Sequence, residues 1–225
     1  MLTQSTASLN LQPNQNIVAA YLYWSGIGDG TFDTTITFNG IDYQADETFN
    51  GFAEPSASVN FYFAAFKDVT KQVVTTGNGI YNFSNFDLNP LVVNYCTVGG
   101  LQHAGWHLVV VYNQNNIETK QLNVYDGFSI AFDQFNNGNT PFSINNLNVV
   151  ATNDAKITFV AYNGSPNFFV SESVSINGNL LSNSLNPPDN PFNGTNSFTG
   201  STTNWNQDID TFDISPHINI GDIQA

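Results

Sequence analysis

Two carboxylates two residues apart offer the clearest chemistry in this sequence. They are Asp208 and Asp210 in the stretch NQDIDTFD, with Asp213 close behind. Side chains alternate faces along a strand, so Asp208 and Asp210 share one. Like charges so placed repel unless a cation or a proton relieves them. That chemistry points to Ca²⁺, with Asn193, Asn196 and Asn204 as neutral oxygen partners. A second acidic group lies in GDGTFD, which carries Asp29 and Asp33 and is followed by Asp42, Asp46 and Glu47. Carboxylates on a glycine-containing loop are suitable Ca²⁺ ligands, but the spacing is not that of an EF-hand. The plainer reading is that Asp29 and Asp33 cap turns.

The stretch YCTVGGLQHAGWHLVVVY holds the lone Cys96 with His103, Trp106 and His107. Two histidines so spaced can share a metal, yet no third ligand is evident, and zinc catalysis would need one. Cys96 reads as a small buried hydrophobe, since a single cysteine forms no intrachain disulfide. Trp106 reads as core rather than as a sugar platform. Candidate ligand-binding residues are Trp205, Phe198, Asn193, Asn196 and Trp24, with Tyr43 as a further aromatic that could stack on a sugar ring. The hydrolase, Walker and dinucleotide signatures are absent. A lysine cross-link through Lys67 or Lys156 is a further, covalent, option.

These residues need a scaffold, and the pattern around them is that of strands. Apolar segments alternate or run for about five to seven residues between turn residues. Strands are expected at 17–23, 34–38, 41–44, 59–65, 79–83, 106–112, 120–125, 142–150, 156–162, 171–176 and 211–214. FAAFKDVTKQVV is expected to hold at most a short helix. Three segments share a layout in which a strand ending in Asn-Gly or Asp-Gly follows an apolar strand. They read as three hairpins. A longer echo runs Tyr21, Asn39-Gly40, Phe49-Asn50-Gly51, Phe66-Lys67-Asp68. It recurs as Tyr162, Asn177-Gly178, Phe192-Asn193-Gly194, Phe212-Asp213. The fold class expected is therefore all-β, an antiparallel β-sandwich or jelly-roll-like body with two related β-units. Residues 1–16 form an extension or edge segment. Residues 17–225 form the body, with units at about 17–150 and 151–225, the second ending one or more strands short.

Composition limits the functions open to this scaffold. The 225 residues include four Lys and no Arg against 18 acidic residues, for a net charge of −14. Clustered cations are what nucleic acids require, so that class is set aside. An anionic membrane would repel the chain, and the longest apolar run is far too short to insert. No basic region followed by an apolar stretch marks a signal peptide. Charged residues make up 10%, well under the roughly 25% of ordinary domains. Solvation by Asn, Thr and Ser instead points to an extracellular or cell-surface β-protein.

The phrases IVAAYLYWSG, GWHLVVVYNQNN with LNVYDGF, and NPFNGTNSFTG with NQDIDTFDIS resemble a module of very large Bacteroidetes surface proteins. These are the gliding-motility adhesins and their relatives exported by the type IX secretion system. The resemblance covers residues 17–225 and carries no catalytic motif. It implies a non-catalytic adhesin or surface-filament module. Its partners would be a surface, a glycan or neighbouring domains of the same large chain. The alternatives are a lectin-like carbohydrate-binding module with structural calcium and a polysaccharide-hydrolase-associated domain.

Overall fold

A computed structural model describes residues 2–53, 60–89, 103–115, 117–131, 138–164, 166, 172–204 and 207–225. Cys96 and Trp205 lie outside the described residues. The chain divides into two compact units, Met1–Thr140 and Pro141–Ala225. The division falls before the boundary expected near 150, and residues 2–9 are a full strand of the first unit.

The first unit is an antiparallel sandwich of two four-stranded sheets. Its strands are β1 (Leu2–Leu9), β2 (Gln15–Gly28), β3 (Thr35–Phe38), β4 (Ile41–Gln44), β5 (Glu47–Ala53), β6 (Asn60–Asp68), β7 (Gly79–Asp87) and β8 (Ala104–Gln114). One sheet runs β1-β7-β3-β4 and the other β5-β6-β2-β8. A short helix, α1 (Thr70–Thr76), carries the chain from β6 in one sheet to β7 in the other. Inward residues alternate along β3, β7 and the first ten residues of β2, as a half-buried sheet requires. Ala20, Leu22 and Trp24 of β2 meet Tyr81, Phe83 and Phe86 of β7, with Val73 of α1 closing one side. The ring of Trp106 on β8 stacks on Phe83 of the opposite sheet at 5.3 Å. That cross-sheet contact confirms Trp106 as a core residue.

Two local devices keep this core in register. Asn85 has φ 61° and is the extra residue of a bulge opposite β1, where pairing steps from Thr3↔Phe86 to Gln4↔Ser84. The bulge turns both Phe83 and Phe86 inward. Asn39 and Gly40, with φ of 47° and 78°, form the tight turn between β3 and β4. Both positive angles suit the mirror-image turn that matches strand twist.

The second unit repeats part of this order. Strand β9 (Lys156–Tyr162) is followed by a two-residue hairpin, β10 (Ser175–Ile176) and β11 (Asn179–Leu180). The returning strand β12 (Gln207–Asp213) pairs antiparallel with β9. Asn177 and Gly178 take φ of 49° and 76°, so this hairpin turns as the first does. Ile176, Leu181 and Phe212 form its core, with Ile157 and Phe159 against them. In the first unit β2 pairs with β6 across the β3–β4 hairpin in the same way.

Other expectations change. The three hairpins are not formed as read, because β2 pairs with β6 and β8 while β3 lies in the other sheet. Residues 120–125 form no strand. Leu122, Val124 and Tyr125 stay exposed, and neither Asp126 nor Gly127 takes the positive φ a tight turn needs. Residues 142–150 are likewise irregular, apart from a bridge between Asn145 and Gln224. Ile144 and Ala225 exchange backbone hydrogen bonds of 2.9 and 3.0 Å beside it.

Candidate functional site

Alternation along β12 buries Asp208, Asp210 and Phe212 on one face and leaves Asp213 exposed on the other. Asp208 and Asp210 are both 0% exposed. The segment 194–197 runs along the free edge of β12. Ile209 N–H donates to the Thr195 carbonyl at 3.1 Å, and Ser197 N–H donates to the Ile209 carbonyl at 2.9 Å. This places a loop directly over the two carboxylates.

The loop grips both acids. Asp208 Oδ1 accepts from the backbone N–H groups of Gly194 at 2.7 Å and Thr195 at 3.0 Å. Two successive N–H groups converging on one oxygen make an anion-binding concavity, and Gly194 reaches it with φ of 81°. The Thr195 hydroxyl donates to Asp210 Oδ1 at 3.0 Å and accepts from Asn186 Nδ2 at 2.8 Å. Asn186 is itself 0% exposed and also donates to the Pro191 carbonyl at 3.0 Å. Gly164 closes the far side. A Cβ there would meet Asp208 Oδ2 at 2.2 Å and the Phe192 carbonyl oxygen at 2.3 Å.

Each acid has satisfied only one oxygen. Asp208 Oδ2 and Asp210 Oδ2 are buried with no donor, as are Asn186 Oδ1, Asn193 Oδ1 and Glu172 Oε2. Burial raises the Asp208 pKa to about 7, the charges of Asp210 and Glu172 add to the rise, and the two backbone N–H groups oppose it. Burial also raises Asp210 against the donors around it, and raises Glu172. Desolvation outweighs hydrogen bonding here because an ionised carboxylate out of water needs more partners than two donors supply.

The remaining sequence candidates fall elsewhere. Asp213 accepts from Ser215 N–H at 2.9 Å and is no part of the buried pair, because odd positions of β12 face outward. Asp29 accepts from Thr31 N–H at 2.9 Å. Asp33 accepts from Thr35 N–H at 3.1 Å and Asp87 N–H at 2.6 Å. Both therefore hold loop backbone, which is the turn-capping role. Asn196 Oδ1 caps its own turn by accepting from Phe198 N–H at 2.9 Å, and Phe198 is 73% exposed. Asn204 donates to the Gln207 carbonyl at 2.7 Å. Trp24 offers no binding face. It is 0% exposed and donates through Nε1 to the Asp33 carbonyl, because its position on β2 points into the sandwich.

His103 lies 2.9 Å from Ser25 Oγ, and His107 stacks on Tyr23 at 4.9 Å. Burial lowers both imidazoles to a pKa of about 4. Lys67 and Lys156 pair with Asp46 at 2.6 Å and Asp154 at 3.1 Å. Among the described residues no three His, Cys, Asp or Glu side chains gather to hold a metal. Thr195, Gly164 and Asn186 were not singled out from sequence, and neither was Phe192 except in the Phe-Asn-Gly echo. The signal for the first and last was their place in PFNGTNS, whose FNG echoes residues 49–51.

A separate groove of about 940 Å³ lies in the first unit. Outward residues of β3 and β7 (Thr37, Asn82, Ser84) form its floor, and Tyr43 of β4 and Lys71 of α1 stand at its sides. Among the described residues that line it, none is Asp or Glu. The Tyr43 ring lies 5.7 Å from the Lys67 ammonium. No family of known proteins, curated protein or solved structure matches this chain.

Proposed function

We propose that the chain is a non-catalytic adhesion module of an extracellular surface protein, and that it recognises neutral glycans through the groove of the first unit. The carrying observation is the chemistry of that groove. It offers amide and hydroxyl groups from Asn39, Asn82, Thr37 and Ser84, with Tyr43 at its side packed toward the core. Such a lining suits a hydroxyl-rich ligand, where a few placed polar groups fix orientation beside an apolar face. Glycoside hydrolysis uses two carboxyl groups flanking the bond to be cleaved, and the described lining residues supply neither. The acidic surface and the resemblance to secreted adhesins agree with this reading.

Binding of the purified chain to an array of neutral polysaccharides tests it. The wild type is expected to bind at least one class, and Asn82→Ala and Ser84→Ala are expected to weaken that binding about tenfold or more with far-UV circular dichroism unchanged. Absence of binding to any glycan, or release of reducing ends from the bound polysaccharide, would sink the proposal.

A further inference from the structure

We propose that the buried oxygens beneath the 193–195 loop form a Ca²⁺ site in the second unit, with Asp208 and Asp210 as its anionic ligands and Phe192, Asn186 and Asn193 as its neutral ones. Three observations converge on it. The first is an unrelieved pair of charges. Asp208 and Asp210 are fully buried on one strand face, and Asp210 and Glu172 are the charged groups that act on Asp208. The chain has no Arg, and the Lys156 ammonium is engaged by Asp154.

The second is the type of atom left over. Asp208 Oδ2, Asp210 Oδ2, Asn186 Oδ1 and Asn193 Oδ1 are all oxygens, all buried, and all without a donor. Buried polar groups in native proteins are seldom left unpaired, and several orphaned acceptors in one region call for a shared cation. Asn186 is 0% exposed, and its amide acts on the Asp210 carboxyl directly and through Thr195. Its oxygen, on the same buried amide, has no donor.

The third is convergence. Asp208 Oδ2 and the Phe192 carbonyl oxygen are neighbours, both pressed against Gly164, where a Cβ would meet them at 2.2 and 2.3 Å. The absence of a side chain at Gly164 is what lets the two oxygens approach. Ca²⁺ accepts six to eight oxygen ligands in flexible geometry, and carbonyl and Asn oxygens serve as well as carboxylates. Two carboxylates with neutral partners place the affinity in the range of extracellular modules, roughly 10⁻⁴–10⁻³ M. The ion would tie the loop to β12, a role independent of the groove in the first unit.

Thermal unfolding and calorimetric titration with CaCl₂ test this on the whole chain. At Ca²⁺ about ten times the dissociation constant, the second unit is expected to melt roughly 6–11 °C higher. Asp208→Asn and Asp210→Asn are expected to abolish that shift, while Asp213→Asn, on the opposite face, keeps it. If the Asp variants fail to fold, Asn186→Ala decides, with an expected loss of affinity of threefold or more. No Ca²⁺ response in the wild type up to 10 mM would overturn the proposal. So would an equal response in Asp208→Asn or, where the Asp variants do not fold, in Asn186→Ala, since the ion would then be held by the acidic surface.

Discussion

Thr195 is the residue on which the buried site turns. Its N–H serves Asp208, its hydroxyl donates to Asp210, and the same hydroxyl accepts from Asn186. Replacing it with Val keeps the shape and the N–H but leaves Asp210 without that donor. A buried acceptor stripped of its partner costs about 1–3 kcal/mol. Thr195→Val is therefore expected to lower the stability of the second unit by that amount in urea titration, whereas Thr202→Val, at an exposed loop position, is expected to be neutral. Gly164→Ala is expected to be worse, because its Cβ would meet a carboxylate and a backbone oxygen well inside contact distance. The sharing of one face by Asp208 and Asp210 was legible from their spacing. The third party, Thr195, was not, because it approaches from a loop and only the chain path brings it there.

At the scale of elements, the two Asn-Gly hairpins show which local signals carry weight. Asn39-Gly40 and Asn177-Gly178 both take positive φ at two successive residues. A side chain in that left-handed region costs about 1–2 kcal/mol relative to glycine. Gly40→Ala and Gly178→Ala are each expected to destabilise their own unit by that much, as read by denaturant melts. Asp126-Gly127 carries the same kind of dipeptide and does not turn this way. The alternation in 120–125 is an ability to pair, and pairing needs an edge and a surface to cover. Strand β1 is the converse. LTQSTASL has little apolar pattern, yet it pairs with β7 along its whole length. Its strand comes from the partner more than from its own residues.

Across the whole molecule, the two units are expected to answer pH in opposite directions. In the first, His103 and His107 have pKa values held near 4, below the ordinary 6.5, so they take up protons on unfolding. Their stabilising contribution is complete above about pH 6.5 and is lost as pH falls toward 4. In the second, Asp208 sits near 7, above its ordinary 3.8, and Asp210 and Glu172 are also raised. That contribution is complete below about pH 4 and is lost as pH rises through 7. Without divalent cation, lowering pH from about 8 to 5 is expected to reduce amide protection in β2 and β8 and to increase it in β9 and β12. Loss of protection in both sets together would show that burial does not set these ionisations. By itself the sequence determined the all-β antiparallel class, the two tight hairpin turns, most strands and the shared face of Asp208 and Asp210. These follow from side-chain alternation and local backbone preference, which act over a few residues. Tertiary structure alone decided that Trp24 is core, that 120–125 goes unpaired, and that a loop with Gly164 and Asn186 closes over the acids. Each of those depends on contacts between residues distant in sequence, where burial and partner availability outweigh local pattern.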